Sequence, residues 1–413
     1  MCDYPSFQPI ERLPQEELAS RHSRCREHLA RLFPSAEGFL VMGTPNIYYM
    51  SGTAANGLLW LPREGQPVLA VRKGLERARM ESPLDETGAV VPFRSYKELA
   101  KIFAEFGSPF TGDIAADQAG VSWEQGRLLA ERLPGQAIFP GDAVLARTRA
   151  IKSEWELVKI REASRRTHLG HMELARRIKP GMSEYQIGQT LWNIFAGMGN
   201  NMFTHTGTPG SSMLLGHFCV GDNGNHSSAY DGPVGVRGVH PAVPVMGSFD
   251  AIWREGQFLS VDAGFVFDGY IADRTQTYFA GKEAAIPAIA RKAQDACIAV
   301  LNETAAMLRP GTAPADIYAK SLEIAEKCGF AETFMGTGGN KVRFIGHGIG
   351  LTISEWPICA RGFAEPLVAG MTMALEPKIA LPGTAMVGVE NTYEITETGA
   401  ISLTGDDNDI LCV

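Results

Sequence analysis

The chain has 413 residues, more than a single hydrophobic core usually holds, so two domains are expected. Hydrophobic residues make up 45% and charged residues 20%, ordinary values for a soluble globular protein. The net charge of −8 argues against nucleic acid as the main partner. No apolar run approaches the ~18 residues of a membrane span, and residues 1–17 lack the apolar stretch of a signal peptide. The seven cysteines are scattered and form no C-x-x-C pair, which fits reduced thiols in the cytoplasm.

Residues 16–33 read as an amphipathic helix with Leu18, Cys25, Leu29 and Leu32 on one side. Residues 38–43 read as a buried strand, and 58–74 as a hairpin turning at Arg63-Glu64-Gly65-Gln66. Strand and helix signals then alternate through 95–107, 110–118, 122–135 and 137–145, as in an α/β layer. This first domain, residues 1–150, has no His, Cys or acid set at ligand spacing. The second is expected to span 151–413. It opens at Ser153-Glu154-Trp155-Glu156, a capping box that starts a long helix. His168 and His171 on that helix read as packing histidines, since no acid or Cys partner lies nearby.

An internal repeat follows. Pro180, Gly181, Ile187 and Gly199 match Pro310, Gly311, Ile317 and Gly329 at a constant offset of 130. Each unit reads as helix, Pro-Gly break, helix and Gly stop, the helix after the first break being capped by Ser183 with Gln186. Each is followed by an apolar two-run segment that carries two acids. The first, residues 261–277, turns at Asp268-Gly269, a strong hairpin signal. A two-residue loop there pairs Phe267 with Tyr270 and makes paired numbers sum to 537. Asp262 and Asp273 then share a face as diagonal neighbours, whereas a three-residue loop would put them on opposite faces. The second, residues 371–396, turns at Leu381-Pro382-Gly383-Thr384 and carries Glu376 and Glu390. Such duplication implies a pseudo-twofold domain with four acids converging between the halves.

Residues 200–250 read as a long Gly/Ser/Pro-rich loop carrying His205, His217, His226 and His240. Gly346-His347-Gly348 puts one imidazole between glycines that permit close backbone approach. Four carboxylates and one imidazole in one pocket call for about four positive charges, which two divalent cations supply. Oxygen-rich ligation without thiolate suits Mn, Co or Fe better than a structural Zn site.

The chain resembles the pita-bread metallohydrolases, a family that includes Xaa-Pro aminopeptidase, prolidase, creatinase and methionine aminopeptidase. The resemblance rests on Asn46-Ile47-Tyr48-Tyr49-Met50-Ser51-Gly52, on Arg149-Ala150-Ile151-Lys152-Ser153, and on VDAG, GYIADRTQT, GHGIG, LEPKI and VENTYEIT in the family's order. It implies an α/β N-terminal domain and an α+β pita-bread C-terminal domain with a pseudo-twofold internal repeat. It carries over Asp262, Asp273, His347, Glu376 and Glu390 as ligands of two divalent metal ions, with Mn preferred and Co, Fe or Zn as substitutes. Glu376 would also move the proton, and His226 or His240 would supply the family's upstream histidine. The implied activity is cleavage of the amide bond before proline in short peptides, as an Xaa-Pro aminopeptidase or dipeptidase, by a homodimer. Proline-specific members carry His where this chain has Ser354 and often Arg where it has Gly388. A creatinase-like or lyase-like reaction on a small non-peptide molecule is therefore the alternative, followed by a catalytically silent binding protein.

Overall fold

The structure is a computed structural model that describes residues 11–110, 112–133, 136–206, 212–214 and 216–413. Chain contacts divide it into two units, one ending at Arg149 and the other taking up the chain at Ala150.

The N-terminal unit is built from α1 (Gln15–Leu32), β1 (Gly38–Val41), α2 (Thr44–Ser51), β2 (Asn56–Pro62), β3 (Val68–Lys73), α3 (Leu75–Glu81), β4 (Val90–Pro92), α4 (Leu99–Glu105), β5 (Ile114–Ala116), α5 (Trp123–Arg132), β6 (Ile138–Pro140) and α6 (Asp142–Ala150). Its sheet runs β4-β3-β2-β1-β5-β6. The β2–β3 hairpin forms around the expected Arg63-Glu64-Gly65-Gln66 turn, with Trp60 opposite Val68. The Asn46–Gly52 motif folds into α2, which Gly52 ends in a left-handed conformation (φ 78). Asp117 accepts from the Met42 and Gly43 amides and from Asn46 Nδ2, which anchors the start of that helix.

The second unit starts with α7 (Glu154–Arg177) and α8 (Glu184–Gly197), both opened by capping boxes, Ser153 with Glu156 and Ser183 with Gln186. Then come β7 (Phe203–His205), β8 (Ser212–Leu214), β9 (Gly216–Val220), β10 (Phe258–Ala263), β11 (Phe265–Phe267), β12 (Tyr270–Ala272) and β13 (Thr275–Phe279). The second half repeats the plan with α9 (Ala288–Ala305), α10 (Pro314–Lys327), β14 (Phe344–Gly348), β15 (Glu355–Ala360), β16 (Thr372–Leu375), β17 (Lys378–Leu381), β18 (Ala385–Gly388) and β19 (Asn391–Thr396), followed by β20 (Gly399–Ser402) and β21 (Leu411–Cys412).

The sheets run β21-β13-β10-β9 and β15-β14-β16-β19-β20. Two strands correspond between the sheets, each pairing antiparallel on both sides: β10 with β9 and β13, and β16 with β14 and β19. The ribbons β11–β12 and β17–β18 extend the two hairpins past a break. The repeat holds at the level of single dihedrals. Gly181 and Gly311 have φ of 98° and 92°, and Gly199 and Gly329 both have 84°. All four require the left-handed region that glycine enters without strain.

Each half buries its own apolar face. Leu174, Ile187, Leu191 and Phe195 of the first helix pair pack with Phe218, Leu259, Val261 and Tyr278. Cys297, Val300, Leu301, Ile317 and Ile324 pack with Ile345, Met373, Leu375 and Val387. His171 is a packing histidine, fully buried with Nε2 against the Ala263 carbonyl at 3.0 Å.

The expected loop over 200–250 is partly wrong. Gly216–Val220 forms β9, every residue of it buried, in register with β10. The Gly- and Ser-rich flanks hide this strand, because a run buried on both faces shows no alternation. Among the described residues no helix is long and apolar enough to cross a membrane.

Candidate metal centre

The Asp268-Gly269 turn has φ of 48° and 82°, both in the left-handed region that a two-residue type I′ loop needs. Phe267 therefore faces Tyr270, Phe265 faces Ala272, and Asp262 faces Thr275. This register offsets Asp262 and Asp273 by two residues on one face, as the two-residue reading expects. The second hairpin keeps a single register through its own break, from Thr372 opposite Glu394 to Leu375 opposite Asn391 and on to Lys378 opposite Gly388. Glu376 thus falls directly opposite Glu390.

Strand β14 brings in the imidazole, with His347 paired to Ala374 of β16. Ligand atoms of Asp273, His347 and Glu390 all lie within 4.8 Å of one another. His347 Nδ1 lies 3.0 Å from the Gly348 carbonyl and donates to it, which leaves Nε2 aimed at Glu376 Oε1, 3.5 Å away. Asp273, His347, Glu376 and Glu390 are buried, and Asp262 is half-buried.

A lysine shares the pocket. Lys378 Nζ lies 2.8 Å from Glu376 Oε2, 3.0 Å from Glu390 Oε2 and 3.6 Å from Asp262 Oδ2. Lys378 was not expected there. It follows Glu376 by two on an alternating strand, which puts both on one face, and that spacing was the available signal.

Electrostatics follow from this packing. Burial raises Asp273 well above the usual carboxylate range, reinforced by Glu390 and Asp262. Burial also raises Glu390, to about 8, against the pull of Lys378. For Asp262 burial is outweighed by Lys378 and His217, which hold it low. Burial would lower Lys378, but Asp262, Glu376 and Glu390 push it well above its ordinary value. His347 is raised, because hydrogen bonding to Glu376 and its charge outweigh burial.

Not every buried acid here calls for a cation. Glu184 is fully buried, yet it accepts from the Val220 amide, Asn223 Nδ2, the Ser248 amide and Ser248 Oγ. Those donors tie the 220–248 segment to α8 and meet the demand of the carboxylate. Glu390 differs, because its Oε1 is buried without a hydrogen-bond partner. A buried orphan oxygen beside Asp273 and His347 fits a divalent cation. The donor set, three oxygen ligands around one imidazole nitrogen when Glu376 is counted, suits Mn, Co or Fe.

The upstream histidines separate. His217 on β9 lies opposite Asp262, is buried, and has an Nε2 with no hydrogen-bond partner. Its ring centroid is 5.5 Å from that of Tyr230. Tyr230 lines a cavity of about 420 Å³, with His226, Asp231, Arg343 and Phe344 among the other lining residues. The structure therefore puts His226 on the cavity wall, exposed, and not among the carboxylates. His240 is exposed in a turn, where its Nδ1 accepts from the Ala242 amide, and it is not brought to the site. Strand register decides this, because of these three histidines His217 alone stands on β9, which pairs with β10.

Residues 158–397, more than half of the chain, match the model of metallopeptidase family M24, and residues 21–151 match the creatinase/prolidase N-terminal domain. The chain is 27% identical over 275 residues to the probable dipeptidase PepE of Mycobacterium tuberculosis, covering 65% of this chain and 62% of that protein. The match thus spans less than two thirds of that relative's length. Identity to the Xaa-Pro dipeptidase of Pyrococcus furiosus is 24% over 372 residues, 89% of this chain and 92% of that one. The crystal structure of dipeptidase PepE from Mycobacterium ulcerans superimposes with a TM-score of 0.78 at 22% identity, over 98% of this chain and 100% of that one.

Proposed function

The chain belongs to metallopeptidase family M24, and from that premise we propose that it is a divalent-metal-dependent peptidase cleaving the amide bond before proline in Xaa-Pro dipeptides or short peptides. The observation that carries this reading is the buried Asp273–His347–Glu390 group with its orphaned Glu390 Oε1. The relatives named Xaa-Pro dipeptidase support the substrate class. Asp262, Asp273, His347, Glu376 and Glu390 form the acidic and imidazole lining of the centre. A divalent ion, Mn in first place, supplies Lewis-acid polarisation of the scissile carbonyl when bound.

Glu376 is the proton-transfer group in this reading. It sits at the edge of the cluster, with Oε1 facing His347 and Oε2 held by Lys378. A carboxylate so fixed can take a proton from the attacking water and pass it to the leaving nitrogen. In this reading His217, opposite Asp262 with an unpartnered Nε2, orients the substrate. Homodimerisation and a cytoplasmic location belong to the same proposal. The cysteines Cys25, Cys219, Cys297, Cys328, Cys359 and Cys412, all free, support a reducing compartment.

The test is a hydrolysis screen of Xaa-Pro and Xaa-Ala dipeptides, with Mn²⁺ added and with metal chelated. Metal-dependent turnover of the proline series supports the reading. Metal-dependent turnover of non-proline dipeptides alone would move the substrate class, and absence of turnover on both would overturn the peptidase assignment.

A further inference from the structure

The acids expected to hold two ions are already engaged in part by a cation of the chain itself. A pair of ions about 3.5–4 Å apart needs carboxylates that offer one oxygen to each. Glu390 does not offer both. Its Oε2 accepts from Lys378 Nζ at 3.0 Å and from Thr275 Oγ1 at 2.9 Å, and only Oε1 is left over. Glu376 is likewise divided, with Oε2 on Lys378 at 2.8 Å and Oε1 facing His347 Nε2. Asp262, also expected among the ligands, has Oδ2 3.6 Å from the ammonium.

The lysine is built into this position. Its residue is fully buried, and its backbone pairs with Gly388 across the hairpin. A Cβ at residue 388 would stand 2.7 Å from Lys378 Cγ, so glycine leaves the room through which the lysine stem passes. Hydrogen bonds in both directions between Gly388 and Thr277 Oγ1 fix that strand against β13. An ammonium held at three carboxylates in a dry pocket repels a divalent ion strongly at the same oxygens.

We propose that the Lys378 ammonium takes the place of one ion of the expected pair, leaving a single-ion centre at Asp273, His347, Glu390 Oε1 and Glu376 Oε1. The proposal rests on the reading of this pocket as a metal centre. A fixed ammonium supplies positive charge and hydrogen-bond donors, but no Lewis-acid coordination. Asp262 then serves to hold Lys378.

The test counts ions without any substrate. Chelator-treated full-length protein is titrated with Mn²⁺ and followed by electron paramagnetic resonance, with bound metal measured after gel filtration. The expected result is one Mn²⁺ per chain with no exchange coupling between ions. Two ions per chain, an exchange-coupled signal, or no bound ion would each overturn the proposal. Lys378→Gly opens the second position and is expected to bind two ions and show exchange coupling. A folded variant that still binds one ion would overturn the role assigned to the ammonium. Should that variant not fold, the wild-type count still decides. Because no peptide enters the measurement, a failed hydrolysis screen leaves this outcome standing, and a failed count leaves the screen standing.

Discussion

The two acid-bearing hairpins share one plan and differ in how they place charge. In the first, a type I′ turn at Asp268-Gly269 sets Asp262 and Asp273 two residues apart on one face. In the second, Glu376 and Glu390 are directly opposed, and Lys378 stands one step beyond on the same face, across from Gly388. One hairpin thus brings acids alone, while the other brings acids together with a counter-charge. Two opposed carboxylates repel more than two offset ones, and a nearby ammonium relieves that repulsion. Duplication preserved the strand pattern and left the charge of each half free to diverge.

The comparison can be broken most sharply at Glu376. If the second hairpin carries proton transfer and the first only ligates, Glu376→Gln should lower kcat by ~10²–10⁴-fold and leave the fold intact. Dipeptide hydrolysis alongside circular dichroism checks this, and wild-type turnover would remove Glu376 from that role.

The next largest effect concerns the support of the first hairpin. His171 is lowered to about 3, mainly by burial and then by Arg274, and its Nδ1 has no hydrogen-bond partner. Its folded value lies below the unfolded 6.5, so the neutral form is the one that folding favours. That stability is complete above pH 6.5 and is lost as the pH falls toward about 3, at ~1.4 kcal/mol per unit. Urea midpoints across this range should fall more steeply for the wild type than for His171→Gln. Equal slopes would show that the hairpin does not depend on a neutral imidazole.

Asp273→Asn removes the proposed ligand of the first hairpin. Mn²⁺ affinity should fall by at least the roughly 10–100-fold that losing a supporting partner costs. Calorimetric titration measures it, and an unchanged dissociation constant would count against Asp273 as a ligand.

The smallest effects are steric. A Cβ at Gly264 would lie 1.9 Å from the Ala272 carbonyl oxygen, and one at Gly388 would lie 2.5 Å from that of Pro377. Both replacements by Ala force backbone shifts, and about 1–3 kcal/mol is expected for such overpacking. Gly264→Ala should be the worse of the two in urea unfolding, and the reverse order would mean that the second hairpin is the tighter.

Much of this centre was legible from residue order because its signals are local. Turn chemistry at Asp268-Gly269 specifies a two-residue loop, and the loop specifies which face Asp262 and Asp273 share. The Pro-Gly breaks and terminal glycines of the repeat are likewise short-range, and their dihedrals agree within a few degrees. His217 was harder to find, because its strand is buried on both faces and lies between glycine-rich segments, so neither periodicity nor composition marks it. Residue order left His217, His226 and His240 open, whereas strand pairing sets His217 alone of the three opposite Asp262.

Residue order alone settles the candidate ligands, the turn and the duplication, since each depends on neighbours a few positions away. Tertiary packing settles which buried acids lack donors. Glu184 is satisfied by residues 36 to 64 positions along the chain, and Glu390 keeps one oxygen with no partner. Packing also delivers Lys378 to Asp262, more than a hundred residues away. Charge balance in a dry pocket is a sum over everything that converges there, and no local pattern in the chain contains that sum.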